Sequence, residues 1–176
     1  MGKEIERKFL VNGNAYKALA VKEIHMCQGY LCTDPHRTVR VRIADDVAYL
    51  TIKGITTGAS RSEWEYKIPV DDARAILEEC CAGKYLSKTR YIIPVENCNL
   101  FWEIDEFHGQ LSGLVLAEIE LPSEDMLITL PEFIGSEVTG QKTYYNSSLL
   151  NSLFSADAPR SQHDECEGTC PPAEQP

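Results

Sequence analysis

The chain has 176 residues, 43% of them hydrophobic, and a formal net charge of −10 at pH 7. That length suits one domain with a sizeable core, and the charge argues against nucleic-acid and anionic-membrane partners. No apolar run reaches the roughly eighteen residues of a membrane helix, and seven cysteines in no spaced framework, behind a start interrupted by Glu4, Glu6, Arg7 and Lys8, fit free thiols in a cytoplasmic protein.

In chain order, period-two alternation or β-rich composition predicts strands over residues 4–11, 28–33, 39–43, 48–53, 63–68, 87–94, 100–107 and 114–121. Asp34-Pro35, Asp45-Asp46, Gly54 to Gly58 and His108-Gly109 punctuate them. Helical signals are fewer. Residues 14–20 suit a short turn of helix. Asp71-Asp72 precedes 73–81, where Ala73, Ile76, Leu77 and Cys80 share a face and Gly83 supplies a stop. Residues 126–133 read as partly helical despite Pro131, and 145–154 carry apolar residues near helical spacing. From 155 to 176 the chain turns rich in Pro, Glu, Ser and Gly, with five acids against Arg160, and is expected to be a disordered tail. The fold class expected is mainly β (α+β): one antiparallel domain over 1–154 with a few covering helices.

The strands share an unusual feature. Residues two apart on a strand point the same way, so Glu4, Glu6 and Lys8 form one face against Ile5 and Phe9. Arg40 and Arg42, Glu63 and Glu65, Lys88 and Arg90, Glu103 and Asp105, and Glu118 and Glu120 repeat the device, and Lys53 follows Thr51. An ordinary wet sheet face mixes Ser, Thr, Asn and Gln among its charges. These faces are almost purely acidic or basic, with the signs grouped by strand. Closing such a sheet would turn the charges inward around a polar bore, which needs a divalent cation for the carboxylates and an anion for the bases.

At these residues the chain resembles the CYTH-domain proteins, the triphosphate tunnel metalloenzymes. The motifs are Glu4-Ile5-Glu6-Arg7-Lys8-Phe9-Leu10-Val11, the ExExK signature, then Gln28-Gly29-Tyr30-Leu31, Val39-Arg40-Val41-Arg42, Thr51-Ile52-Lys53 and Glu63-Trp64-Glu65-Tyr66. Lys88-Thr89-Arg90-Tyr91, Glu103-Ile104-Asp105, Ala117-Glu118-Ile119-Glu120 and a late Lys142 complete the set. The resemblance implies a closed eight-stranded antiparallel β-barrel binding a triphosphate along its axis. It implies metal-binding carboxylates at Glu4, Glu6, Glu118 and Glu120, with Glu63, Glu65, Glu103 and Asp105 as candidates for further metal or water contacts. Lys8, Arg40, Arg42, Lys53 and Arg90 would hold phosphate oxygens, and Lys142 would reach in from a segment plugging one mouth. Lys88 would sit near the scissile end, and Tyr30 resembles the family's proposed proton acceptor, a packed barrel tyrosine being an equal alternative. The function implied is hydrolysis of inorganic tripolyphosphate to pyrophosphate and phosphate with one or two Mg²⁺ or Mn²⁺ ions. Thiamine- or nucleoside-triphosphate hydrolysis, class IV adenylate cyclisation and non-catalytic polyphosphate binding remain open alternatives.

Overall fold

The computed structural model describes residues 2–34, 36–55, 57, 60–96 and 98–154, with no side-chain detail for 2–4 and 60. The expected tail lies outside the described residues. The strands are β1 (Gly2–Val11), β2 (Lys22–Cys32), β3 (Thr38–Ala44), β4 (Val47–Lys53), β5 (Ser60–Ile68), β6 (Tyr85–Pro94), β7 (Phe101–Phe107), β8 (Val115–Glu120) and β9 (Ile134–Glu137). Helices are short: α1 (Tyr16–Leu19), α2 (Val70–Ala75), which runs on into a π-helical turn at Ile76–Cys80, and α3 (Asn146–Phe154).

All nine strands form one antiparallel sheet in the order β5-β4-β3-β2-β6-β7-β8-β1-β9. The start of β1 also meets β5, with Gly2 to Ile5 opposite Glu63 to Ser60. The expectation of an eight-stranded closed barrel is therefore corrected. Among the described residues there are nine strands and the sheet is not closed into a barrel: β1 touches β5 over only four positions, and β9 takes the later part of that edge, opposite Phe9 and Val11. Residues 126–133 are not helical; the chain there is irregular around Pro131 and leads into β9. Helix α2 begins at Val70 behind Pro69, so Asp71 and Asp72 lie in its first turn, where they complement the helix dipole, rather than capping it.

The outward faces are apolar, and they are covered except along β4 and β5, where Ile52, Trp64 and Tyr66 remain 36%, 37% and 56% exposed. Ile5, Phe9, Tyr91, Trp102, Ile104 and Ile119 pack beneath Tyr16 of α1 and the 126–134 segment. Cys27, Val41, Ile43 and Ala48 pack beneath Ala73, Leu77 and Cys81. Gly29 on β2 makes this second contact possible. A Cβ there would lie 2.8 Å from Leu77 Cδ2, 2.9 Å from Cys81 Sγ and 3.1 Å from the Lys84 carbonyl oxygen. Gly29→Ala is expected to cost about 1–3 kcal/mol by overpacking, read as a lower urea midpoint at unchanged slope. An unchanged midpoint would contradict it.

The third cluster lies inside the curve of the sheet. Leu86, Phe107 and Leu116, with Leu10 at their side, receive Leu149, Leu150 and Leu153 of α3. The inner face is thus apolar at one end, and α3 docks there.

Candidate functional site

Strand alternation and antiparallel register assemble the charged residues on the concave side of the sheet. Directly opposed pairs include Glu6 with Glu120, Lys8 with Glu118 and Glu103 with Glu118. Others are Arg90 with Asp105, Lys53 with Glu63 and Tyr30 with Arg40. Together they surround a cavity of about 660 Å³. Its walls carry Lys8, Arg40, Arg42, Lys53, Arg61 and Arg90 and the carboxylates Glu6, Glu63, Glu65, Glu103, Glu118 and Glu120. Thr139, Gly140, Lys142 and polar side chains at the start of α3 cap one side of it.

A chain of ion pairs holds these groups in place. Arg90 grips Asp105 through Nε and Nη2, both at 2.6 Å, reaches Glu118 at 2.8 Å and also pairs with Glu103. Lys8 Nζ donates to Glu118 at 2.5 Å and lies 3.5 Å from Glu6. Across the cavity Glu65 accepts from Thr51 at 2.8 Å and from Arg42 at 3.1 Å, with Arg40 at 3.4 Å. Lys53 pairs with Glu63 at 2.9 Å. The Nε donors of Arg40 and Arg42 are nevertheless buried without a partner among the described residues. Buried donors of this kind are costly unless something accepts from them.

The protonation states follow from this wiring. Burial alone would raise the Glu118 carboxyl, but Lys8, Arg90 and Lys88 outweigh it and hold it well below the ordinary 4.5. At Asp105 burial is likewise overcome by Arg90 and Lys88, which hold it below 3.8. Burial pulls Lys8 down, yet Glu118 and Glu6 raise it on balance. Lys88 goes the other way: burial, with Arg90 adding, pushes it down to about 8 despite Asp105. Burial pushes the Tyr30 phenol up against the pull of Arg40 and Lys8.

Carboxylates with depressed folded-state values contribute stability that is complete above the ordinary value and lost as pH falls. Glu103 opposes this, because burial raises it in spite of Arg90; Glu118, held well below its ordinary value, and Asp105 outweigh it. From neutral pH down to about pH 4.5 the melting temperature should therefore hold, and it should fall as acid is added below that. Equal melting temperatures at pH 5 and pH 3 would refute this.

The structure brings most of the sequence-predicted residues together. Lys8, Arg40, Arg42, Lys53, Arg90, Lys142, Tyr30, Glu6, Glu63, Glu65, Glu103, Glu118 and Glu120 all line the cavity. The side chain of Glu4 lies outside the described residues. Lys88 and Asp105 are 1% and 0% exposed and lie beneath the cavity wall, paired at 2.5 Å. Asp105 is committed to Lys88 and Arg90, so it acts as their anchor. Arg61 was not anticipated from the sequence. It lies two residues before Glu63 on β5 and shares its face, but the strand was expected to begin only at Glu63.

A divalent cation suits the acidic side of the cavity. Glu6 and Glu120 face each other directly on β1 and β8, and like charges in that position destabilise a strand pair unless a cation lies between them. Among the described residues no three Asp, Glu, His or Cys side chains converge on one point.

Comparison with known proteins agrees with this chemistry. A family model described as the CYTH domain matches residues 2–149. An inorganic triphosphatase of Acetivibrio thermocellus is 50% identical over 154 residues, which cover 88% of this chain and 97% of that protein. One from Nitrosomonas europaea is 36% identical over 154 residues, covering 85% and 98%. A crystal structure of an inorganic triphosphatase superposes with a TM-score of 0.57 at 32% identity, covering 85% of this chain and 95% of that one.

Proposed function

Because the chain belongs to the CYTH domain family, we propose that it hydrolyses inorganic tripolyphosphate to pyrophosphate and phosphate with the help of Mg²⁺ or Mn²⁺. The observation that carries this reading is the pair of buried Nε donors of Arg40 and Arg42, without a partner among the described residues, in a cavity lined by further cations. They call for an anion with many oxygens. The kinship to inorganic triphosphatases names one.

Glu6 and Glu120, with Glu4 two positions earlier on the same strand, would hold the cation. Bound there, it would draw charge from the phosphate oxygens and lower the pKa of water. Lys8, Arg40, Arg42 and Lys53 would grip phosphate oxygens, the arginines through forked donors and the lysines as point charges. As the bond to the terminal phosphorus loosens, negative charge spreads over its equatorial oxygens and onto the leaving pyrophosphate. Donors already fixed by Glu65, Glu63 and Glu118 would meet that charge without reorganising. Lys88 would act from beneath, keeping Asp105 and so Arg90 in place. The work proposed is cytoplasmic, without nucleic acid or membrane; among the described residues no helix is long and apolar enough to cross a membrane.

The test is product analysis. Tripolyphosphate, ATP and thiamine triphosphate are each incubated with Mg²⁺, Mn²⁺ or Ca²⁺ and the products are resolved. Phosphate and pyrophosphate from tripolyphosphate, with the organic triphosphates largely untouched, is the result expected. Cyclic AMP from ATP, preferred hydrolysis of thiamine triphosphate, or binding without any product would overturn the reading.

A further inference from the structure

Gln28 has no part in the mechanism above, yet it is fully buried on the cavity side of β2, two residues before Tyr30. An amide in such a place is costly unless its hydrogen-bonding groups are used. One is used: Nε2 donates to the Tyr30 hydroxyl at 3.2 Å. Its other group, Oε1, has no partner among the described residues. The residue opposite Gln28 on β3 is Arg42, a donor-only side chain whose Nε also lacks a partner, and the residue opposite on β6 is Leu86. An amide oxygen is what Arg42 can use and an amide NH₂ is not. The orientation with Nε2 toward Tyr30 is therefore the one its neighbours favour.

This fixes what the phenol can do. A tyrosine hydroxyl has one hydrogen to give and accepts through its oxygen. With Gln28 filling the acceptor side, the hydrogen must point elsewhere, and no described side chain accepts it. Tyr30 lines the cavity, its ring packs with the apolar end beside α3, and the charges acting on its hydroxyl are foremost the cations Arg40, Lys8 and Arg61, with the Glu118 carboxylate acting more weakly in the opposite sense. Cations gathered around a hydrogen-bond donor mark the place of an anionic oxygen.

We propose that Gln28 is a positioning residue which orients the Tyr30 hydroxyl as a hydrogen-bond donor to a phosphate oxygen in the cavity. In this arrangement Tyr30 stays protonated and gives a hydrogen bond; it does not take a proton from water. The proposal rests on the triphosphatase reading for its kinetic arm only.

The experiment is a double-mutant cycle with Gln28→Met, which keeps length and burial, Tyr30→Phe, and the two combined. Loss of a hydrogen bond to a charged oxygen corresponds to about ten- to a hundredfold. Each single variant should lose about that factor in kcat/KM for tripolyphosphate, and the double variant should lose no more than Tyr30→Phe alone. A full additional loss in the double variant would show that Gln28 acts independently of Tyr30 and would overturn the proposal. The same cycle is read in tripolyphosphate affinity by calorimetry with EDTA present, so that it stands even if the wild-type protein releases no product. Non-additive losses in affinity support the proposal; additive losses, or none, refute it. Gln28→Glu guards against a simple packing defect, since it keeps the shape but puts an acceptor beside the phenol and draws the hydrogen out of the cavity. Folded Gln28→Glu at neutral pH should be at least as impaired as Gln28→Met, and wild-type activity or affinity in it would sink the proposal.

Discussion

Arg90→Met is expected to lower folding stability by about 3–5 kcal/mol, the range for breaking a buried ion pair from one side. Arg90 is 7% exposed and joins Asp105, Glu103 and Glu118 in one network. Methionine fills much of its volume but leaves Asp105 with Lys88 alone and Glu118 with Lys8 alone. For a domain of this size the loss should appear as a drop of about 6–20 °C in melting temperature at pH 7. Arg90→Lys should recover only part of it, because an ammonium cannot reproduce the two parallel bonds to Asp105. A melting temperature within 2 °C or so of the parent would mean that the network is not what holds the sheet's interior.

Glu6→Gln should separate stability from activity. Glu6 opposes Glu120 across the β1–β8 pair but also lies 3.5 Å from Lys8 Nζ, so removing its charge exchanges a relieved repulsion for a weakened ion pair and should leave metal-free stability within about 1 kcal/mol. Metal-dependent release of phosphate from tripolyphosphate should fall by at least about a hundredfold, since even an outer-shell partner of a metal is worth ten- to a hundredfold. The measurements are a urea titration with EDTA and a phosphate-release assay over a range of Mg²⁺. Undiminished turnover by folded Glu6→Gln at low Mg²⁺ would remove Glu6 from the metal-binding set. A loss of both stability and turnover would make it structural.

Much of the architecture was legible because charged and apolar residues alternate so consistently. That pattern put Glu6, Lys8, Arg40, Arg42, Glu118 and Glu120 on faces opposite Phe9, Val41 and Ile119, and the structure keeps every one of them there. Alternation reports a side of a strand and nothing about depth along it. Lys88 and Arg90 share a face, yet Arg90 lines the cavity and Lys88 lies beneath the wall. Only the register with β7, which sets Lys88 opposite Phe107 and Arg90 opposite Asp105, separates them. The strand at Ile134–Glu137 escaped notice because four residues including Gly135 and Ser136 carry almost no periodicity; its pairing with β1 defines it. The helix expected around 126–133 failed because Pro131 offers no amide hydrogen and restricts the residue before it. Gln28 was visible inside a motif, but a polar side chain on a polar face gives no sign that it is wholly buried.

Lys8 has a second attachment, through its backbone. Its amide donates to Thr139 Oγ1 at 3.0 Å, and its carbonyl accepts from the Val138 amide at 2.8 Å. On the outer side, Arg7 clasps Glu137 at 2.7 Å. The chain leading to α3 is thus pinned beside the residue whose ammonium faces the cavity. Chain length on the two sides of that pin should have unequal consequences. Residues 122–125, between β8 and the segment that covers the first cluster, are exposed and lie before the pin, so added or deleted residues there would be absorbed at the surface. One residue inserted between Thr139 and Lys142 would shift the whole cap relative to the sheet and change the volume it encloses. The tolerance of this protein to insertions should break abruptly at position 139.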